Sequence, residues 1–219
     1  MYSAPIRTYL VDDHLSLLQL LALRINAAPD LNLAGTATDA ETALREIPPA
    51  TPDVVVLDVE LPGRGAFDLA ADITTGERPP KLVFFTGFLS DIFLDQALRV
   101  GARGYLLKGE SVEALVECVR RVARGEHYFS PEVEERLRLD AATGKYVMKT
   151  ESRLSALTGR QLEVLRHLAR GASVKEIARA MDLSEKSVDS HKYRIMAKLG
   201  IHDRVELARY AIREGLTTA

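Results

Sequence analysis

Side chains that could do chemistry follow the apolar runs in the first half of this 219-residue chain. Asp12 and Asp13 come after the first run, Asp58 follows VVVL, Thr86 closes KLVFFT, and Lys108 follows GYLL. Three carboxylates brought together repel one another unless a cation relieves them, and an oxygen-rich site of this kind suits Mg²⁺. With an ammonium group and a hydroxyl beside the carboxylates, the set predicts a site that receives a phosphoryl group.

These residues can meet only if the elements before them share one sheet. The sequence predicts strands at 6–11, 31–36, 54–58, 81–86 and 104–107, and amphipathic helices at 14–28, 39–47, 66–74, 91–100 and 111–124. Runs such as VVVLD and KLVFFT are apolar on both faces, which is typical of central parallel strands. The expected fold is an α/β doubly wound (βα)5 domain over residues 1–125, in which chemistry gathers at the carboxyl ends of the strands.

Each of these residues also has an ordinary structural interpretation. A single Asp at a strand end is usually a turn or capping residue, and a lone Lys is usually solvated. Five such residues at five expected places favour a shared site instead. No GxGxxG follows the first strand, which disfavours a dinucleotide-binding enzyme. The single cysteine, Cys118, excludes a disulfide framework and is expected to be a buried structural thiol.

The remaining sequence predicts a connection and then an all-α domain. Residues 126–152 are interpreted as a linker with a short helix at 131–139, followed by a domain at 153–219. Its helices are expected at 159–170, 174–181, 185–199 and 204–214, with Gly171, Gly200 and Gly215 just past three helix ends. Capping-box spacing supports three of the helix starts, in TGRQ, SVKE and DRVE, and Ser184 offers a further N-cap. The short turn between the second and third helices is typical of a helix-turn-helix.

Charge divides along the chain in the same way. Residues 153–219 carry 13 basic and 8 acidic residues, a net charge of +5, whereas residues 1–152 carry −7. This asymmetry suggests a nucleic-acid partner for the basic part, although +5 also fits an ordinary solvated surface. No stretch reaches the roughly 18 apolar residues that a membrane span needs, so we expect a cytoplasmic protein with no membrane partner.

The motifs LVDDH, VVLDVELPG, FFTG and GYLLKGE resemble those of response-regulator receiver domains over residues 5–125. This resemblance implies that Asp58 is the phosphoacceptor. It also implies that Mg²⁺ is bound by Asp12, Asp13, Asp58 and the backbone carbonyl of Glu60.

The same resemblance assigns a switch. Thr86 and Lys108 contact the phosphoryl group, and Thr86 moves to leave space into which Tyr105 turns; the alternative for Tyr105 is an ordinary half-buried strand aromatic. Glu60 and Phe88 match positions that tune dephosphorylation. Gly109 stands where many receivers have Pro, a departure that we expect to leave the chemistry intact.

Residues 154–216 resemble the four-helix LuxR/NarL/FixJ output domain, whose helix 185–199 would enter the major groove. The expected core residues are Leu162, Val164, Leu165, Leu168, Ile177, Ala178, Leu183, Val188, Ile195, Leu199, Val205 and Ala208. The expected phosphate contacts are Lys175, Ser184, Lys186, Ser187, Arg194 and Lys198, and the expected base contacts are Asp189, Ser190, Lys192 and Tyr193. His191 is expected to be structural. Gln161 and Asp189 depart from the common family residues, Glu and Lys, and Asp189 equally fits a capping or solvent-facing role.

The resemblance implies a phosphorylation-dependent DNA-binding transcriptional regulator of a bacterial two-component system, which is not a turnover enzyme. The implied partners are a sensor histidine kinase or small phosphodonor, double-stranded promoter DNA, RNA polymerase as a further candidate, and a second copy of the chain upon phosphorylation. The expected dimer residues are Val205, Leu207, Ala208, Ala211 and Ile212. The alternative is that all five are buried within the monomer.

Two rival functions fit parts of the sequence. An Asp-nucleophile phosphotransferase would explain Asp58 and Glu60, but the attached helix-turn-helix and the absence of a substrate-covering cap region argue against it. A ligand-sensing, phosphorylation-independent LuxR-type regulator usually has an aromatic-rich pocket, and this chain has no Trp.

Overall fold

A computed structural model describes residues 4–62, 64–87, 89–150, 152–214 and 216. Its first half contains the five predicted βα units: β1 Ile6–Val11, α1 Leu15–Ala27, β2 Leu31–Ala37, α2 Ala40–Ala50, β3 Val54–Leu57, α3 Ala66–Ile73, β4 Lys81–Thr86, α4 Asp91–Arg99, β5 Gly104–Leu107 and α5 Val112–Ala123. The largest difference in length is in α2, which continues through Pro48 and Pro49 beyond the predicted end at residue 47. The fixed φ of proline suits a helix, but each proline lacks an N–H donor and its ring crowds the carbonyl four residues earlier.

The strands form one parallel sheet in the order β2-β1-β3-β4-β5, and a sixth strand, β6 Tyr128–Phe129, pairs with β5. Successive residues of a strand point to opposite faces, so the sheet has a separate core on each side. Val55 and Leu57 pack in the core that includes α2, α3 and α4, whereas Val54 and Val56 pack with α1 and α5. Cys118 lies in this second core as a buried thiol that forms no disulfide, as predicted. The prediction of a doubly wound sheet is therefore confirmed.

Residues 126–152, interpreted as a linker, contain more structure than expected, and the helix predicted at 131–139 ends at Glu134. After β6 the chain forms a short helix, α6 Pro131–Glu134, and then an antiparallel hairpin of β7 Leu137–Asp140 and β8 Lys145–Met148. Phe129, Val133, Leu137 and Met148 are buried in the same core as α4. These apolar side chains and the contact of β8 with α4 show that the segment packs on the first domain.

The second domain begins with a 3₁₀ turn, Arg153–Ala156, and contains α7 Gly159–Ala169, α8 Val174–Ala180, α9 Glu185–Leu199 and α10 Arg204–Arg213. These bounds agree with the prediction to within a residue. Both partners of the capping boxes at Thr158 and Ser173 are present, and the side chains of Ser184 and Asp203 cap α9 and α10. Gly171 and Gly200 adopt positive φ as expected, and Gly215 lies outside the described residues. Leu183 and Ala208 are half-buried, and the other expected core residues are buried, with one exception.

The exception is Val205, whose assignment to the core was wrong. Val205 is 58% exposed, because the face of α10 that packs on α7 carries Leu207 and Ala211 instead. Among the described residues, none of the helices is both long and apolar enough to span a membrane.

Packing of the hairpin should contribute to the stability of the first domain. Replacing Leu137 by Ala should lower the free energy of unfolding of the first domain by about 2–4 kcal/mol, because a buried side chain is lost from the core. The matched control is Leu139→Ala on the same strand, where the side chain is 58% exposed and the change should be within about 0.5 kcal/mol. Urea unfolding of both variants measures the difference, and equal, small effects would mean that the hairpin is not packed on α4.

Candidate functional site

The predicted carboxylates do meet at the carboxyl edge of the sheet. Asp12 follows β1 and Asp58 follows β3, and both are buried, at 4% and 2% exposure, whereas Asp13 is open to solvent. Carboxylate oxygens of all three lie within 4.8 Å of one another and of a nitrogen of His14. The Nδ1 atom of His14 is 3.1 Å from Asp12 Oδ1 and 2.8 Å from Asp13 Oδ1. Sequence reasoning missed His14, although its place directly after the two Asp residues was a signal.

Lys108 supplies the positive charge that this cluster needs. Its Nζ lies 2.7 Å from Asp12 Oδ2 and 2.7 Å from Asp58 Oδ2, and only 17% of the side chain is exposed. Burial raises the pKa of Asp58, and the hydrogen bond from Lys108 opposes that rise. Burial acts to lower the pKa of Lys108, but its bonds to the two carboxylates outweigh burial, so this pKa is raised. The ammonium group therefore stays charged between the two buried Asp side chains.

The cluster fits a divalent metal ion. Among the described residues, Asp58 Oδ1 is a buried side-chain oxygen without a hydrogen-bond partner, although Asp58 Oδ2 is bound by Lys108. Carboxylate oxygens near one another are the ligands that hard cations prefer. A cavity of about 370 Å³, lined by His14, Ser16, Leu17, Glu60, Gly87 and Lys108, connects this edge to solvent. The site thus has an oxygen that lacks a partner, a suitable donor set and access from outside.

The expected switch residues lie behind the cluster. Thr86 is buried at the end of β4. Tyr105 is fully buried on β5, with its ring centroid 6.2 Å from that of Phe84. Its pKa is raised by burial and by the charge of Asp58. Tyr105 is thus fully buried rather than half-buried, with β6 paired to β5 beside it, and this burial fits an ordinary core aromatic as well as a switch residue. Phe88 lies outside the described residues.

The second domain packs against this edge through α7. The carboxylate of Glu60, two residues after Asp58, pairs with the guanidinium of Arg166, and Arg170 lies 3.7 Å from the same carboxylate. The Arg166 guanidinium also lies 5.9 Å from the ring centroid of Phe93 on α4. Sequence reasoning missed these two arginines, because surface charges on a helix carry no signal of what covers them.

Two glycines and the half-buried Glu163 lie in the same interface. A Cβ added at Gly159 would be 3.2 Å from Cβ of Phe67, and one at Gly65 would overlap the carboxylate of Glu163. Burial raises the pKa of Glu163 to about 7, with Asp68 adding to the rise and Arg160 and Arg166 opposing it. A glutamate with this pKa is half protonated near neutral pH, so the packing of α7 on α3 is linked to proton uptake.

The face of α9 opposite α7 is open. The side chains expected at DNA are exposed at Lys175, Ser184, Lys186, Ser190, Tyr193, Arg194 and Lys198 and half-buried at Ser187, Asp189 and Lys192. Several of them have partners inside the domain. Asp189 forms an ion pair with Lys192 one turn later, and Lys198 Nζ donates to Ala156 O at 2.8 Å and Gln161 Oε1 at 2.9 Å. Nδ1 of the half-buried His191 faces inward, which agrees with the expected structural role.

The expected dimer face on α10 is divided by the structure. Leu207 and Ala211 are buried against α7, as in the alternative in which they belong to the monomer. Val205 is exposed, and Ala208 and Ile212 are half-buried. Only the last three are accessible to a second molecule.

An acidic cluster at the edge of a doubly wound sheet, joined to a helix-turn-helix, defines the class of two-component response regulators. Residues 8–120 match the family model of the response regulator receiver domain, and residues 155–211 match that of the bacterial regulatory proteins of the luxR family. The chain belongs to the NarL/FixJ family of response regulators, which regulate transcription through a LuxR-type DNA-binding domain and are not enzymes.

Relatives match along the whole chain. The uncharacterized transcriptional regulatory protein YxjL of Bacillus subtilis is 31% identical over 99% of both chains, and the response regulator UvrY of Escherichia coli K12 is 30% identical over 98% of this chain and 97% of its own. The structure is similar to that of RcsB from Salmonella enterica serovar Typhimurium bound to promoter P1flhDC with the phosphomimetic BeF3⁻. The TM-score is 0.67 at 22% identity, with 98% of this chain and 99% of RcsB covered.

Domain packing should depend on pH through Glu163. Its ordinary pKa of 4.5 rises to about 7 on packing, so its contribution favours the packed form fully below pH 4.5 and is lost progressively as the pH rises from 4.5 through about 7. Between pH 6 and 8 that contribution should change on the order of tenfold in the packing equilibrium. Glu163→Gln removes the ionisation, so small-angle X-ray scattering should find the variant more compact than the wild type at pH 8, with a smaller difference at pH 6 and none below the ordinary pKa of 4.5.

The exposed Glu132→Gln is the control for Glu163→Gln and should behave as the wild type at both pH values. Equal radii of gyration for the wild type and Glu163→Gln at pH 8 would contradict this role for Glu163.

Proposed function

We propose that this chain regulates transcription by accepting a phosphoryl group on Asp58, with Mg²⁺ in the acidic cluster, and by binding promoter DNA as a dimer. The observation that carries the proposal is the pair of Asp58 oxygens, one bound by Lys108 and the other buried without a partner next to Asp12. Most buried side-chain oxygens have a hydrogen-bond partner. This one has an oxygen left for an incoming group.

The transfer itself needs little from the protein beyond position and charge. A carboxylate oxygen of Asp58 bonds to phosphorus, and the bond from phosphorus to the donor breaks, leaving its electron pair on the histidine nitrogen of a sensor kinase or on the carboxylate of acetyl phosphate. Mg²⁺, when bound by Asp12, Asp13, Asp58 and the Glu60 carbonyl, would neutralise the charge gathered there. Lys108 then pairs with a phosphoryl oxygen, and the Thr86 hydroxyl donates to another.

The negative charge added by phosphorylation of Asp58 can change the packing of neighbouring elements. An acyl phosphate places about −1.5 to −2 charges beside Lys108. A shift of Thr86 and Lys108 would displace the neighbouring α4 and β5. In turn, β6 pairs with β5, and the β7-β8 hairpin packs on α4. Because Tyr105 is already buried, we expect the response to involve repacking of this segment rather than inward rotation of the ring.

Dimerisation and DNA binding draw on exposed residues of the second domain. Val205, Ala208 and Ile212 offer an accessible apolar strip on α10 that a second copy would cover. RcsB, which shares the fold, is described as bound to promoter DNA with a phosphomimetic, and this supports promoter DNA as the partner here. A sensor histidine kinase upstream and RNA polymerase at the promoter complete the proposed set of partners.

Phosphorylation of Asp58 should be measurable directly. Incubation with Mg²⁺ and acetyl phosphate should add one phosphoryl group, seen by intact-mass spectrometry, and should tighten binding to promoter DNA. Asp58→Asn should abolish both effects, because the nucleophilic oxygen is replaced by an amide. Asp140→Asn, at the end of β7, is the control and should be labelled normally. Equal labelling of the wild type and Asp58→Asn would place the acceptor elsewhere.

Substitutions should distinguish residues that contact DNA phosphates from residues that contact bases. Lys186→Ala should weaken binding to all sequences similarly and lower the slope of affinity against salt by about one, because one phosphate contact is lost. Asp189→Ala should relax base preference at one position per half-site by about 1–3 kcal/mol, with little change in that slope. Binding-site selection and salt titration of both variants measure these effects. An unchanged sequence preference for Asp189→Ala would mean that Asp189 does not contact a base and serves only as the ion-pair partner of Lys192.

A further inference from the structure

Another cavity of the first domain lies at the edge of the sheet opposite the acidic cluster. Its wall is formed by the end of α4, the loop before β5, the residue before β6 and the start of β8. Arg103 in this wall precedes β5, whereas Lys108 of the acidic cluster follows it, so the length of the strand separates the two places. The volume of about 360 Å³ is within the range of small-molecule sites.

The charged side chains of this wall are all positive or can become so. Among the described residues that line it, Arg99, Arg103, His127 and Lys145 are basic and none is acidic. Arg99 pairs with Asp95, one turn earlier on α4, at 2.8 Å. In the part of the chain that the structure describes, Arg103 and Lys145 form no ion pair. Two cations therefore line the cavity without a counter-ion from the protein.

Acidic side chains close to the wall are engaged elsewhere. Asp140, opposite Lys145 in the hairpin, accepts two hydrogen bonds within its own turn, at 2.8 and 3.0 Å. Glu126, beside His127, pairs with two arginines at the end of α5. Burial and the charge of Arg103 both lower the pKa of His127. The cavity therefore attracts anions, because positive charge there is not offset by these carboxylates.

The guanidinium of Arg103 is held in place by the fold. Its Nη1 atom donates to Gly125 O at 2.7 Å, and the backbone nitrogen of the same residue donates to Leu82 O at 2.9 Å. A guanidinium fixed through one nitrogen keeps its other N–H groups for a ligand, and its planar fork matches two oxygens of a phosphate. Because the side chain is already ordered, less conformational entropy is lost when an anion binds.

Apolar side chains complete the wall. Leu98, Ala102 and Tyr146 line the cavity beside the basic groups. The ring centroid of Tyr146 lies 5.1 Å from that of His127 and 5.0 Å from that of Phe129, so its position is fixed by packing. A site that combines a few polar groups with apolar side chains suits a ligand with both a charged group and an organic body.

We infer that this cavity is a binding site for a small organic phosphate: Arg103 and Lys145 bind the phosphate, and the organic body lies against Leu98 and Tyr146. Arg103 belongs to the loop before β5 and Lys145 to the hairpin, so the ligand joins these two segments. The site is separate from Asp58, and binding there does not require phosphorylation of the chain.

Calorimetric titration of the full-length protein with AMP tests this inference, in a buffer of low ionic strength without Mg²⁺. AMP carries one phosphate on an organic body. We expect saturable binding at one site per chain, weaker binding of inorganic phosphate, and no binding of adenosine. Absence of saturable AMP binding would overturn the inference. Equal affinities for AMP and adenosine would do so as well, and so would equal affinities for AMP and inorganic phosphate.

Substitutions in the wall should weaken the binding of AMP. Arg103→Ala should raise its Kd roughly tenfold or more, because a charge-assisted bidentate contact is lost. Lys145→Ala should raise it about three- to tenfold, because this side chain is exposed and its charge is screened by solvent. Lys145 lies at the surface of the hairpin, so this second variant keeps the comparison should Arg103→Ala not fold. An unchanged Kd in Lys145→Ala and in folded Arg103→Ala would contradict the inference.

Three controls distinguish this cavity from other places where a phosphate could bind. Arg138→Ala removes an exposed cation of the same hairpin that does not line the cavity. Lys186→Ala tests the DNA-binding face of α9, and Asp58→Asn tests the acidic cluster. All three should bind AMP as the wild type does. A loss of affinity in any of them as large as that in Arg103→Ala would place AMP elsewhere and overturn the inference.

Discussion

The structure depends on how it accommodates two buried carboxylates at one edge of a sheet. Asp12 and Asp58 are nearly inaccessible, and both lie 2.7 Å from the single ammonium of Lys108. Buried charges persist only when paired, so the cluster requires a cation from the protein, from solvent, or from both. That requirement brings the ends of three strands, β1, β3 and β5, to one place. A phosphoryl group added there would change the balance of charge in the cluster.

Local signals made most of the architecture predictable. Apolar runs with turn residues between them were enough for the βα units, and side-chain acceptors such as Thr158 and Ser173 marked helix starts within a residue. The convergence of Asp12, Asp58 and Lys108 followed from parallel topology, which brings the carboxyl ends of strands together. These features are encoded in neighbouring residues or in a topology rule, so the sequence alone could reveal them.

What the sequence did not reveal depends on contacts between distant segments. The hairpin of β7 and β8 is stabilised by packing of Leu137 and Met148 in the core of α4, and short strands without such a surface would not form. Likewise the side of α10 that is buried depends on where α7 lies, which exposes Val205 and covers Leu207. The pairing of Glu60 with Arg166 joins two ordinary surface charges whose importance comes from the other domain.

Lys108 balances the charge of the carboxylates and therefore competes with a cation for them. The affinity for Mg²⁺, measured by calorimetric titration, tests this most directly. We expect Lys108→Met to bind Mg²⁺ several-fold more tightly than the wild type, because an opposing positive charge is removed from Asp12 and Asp58. Asp12→Asn should bind it more weakly. An affinity for Mg²⁺ that is unchanged or reduced in Lys108→Met would contradict the account.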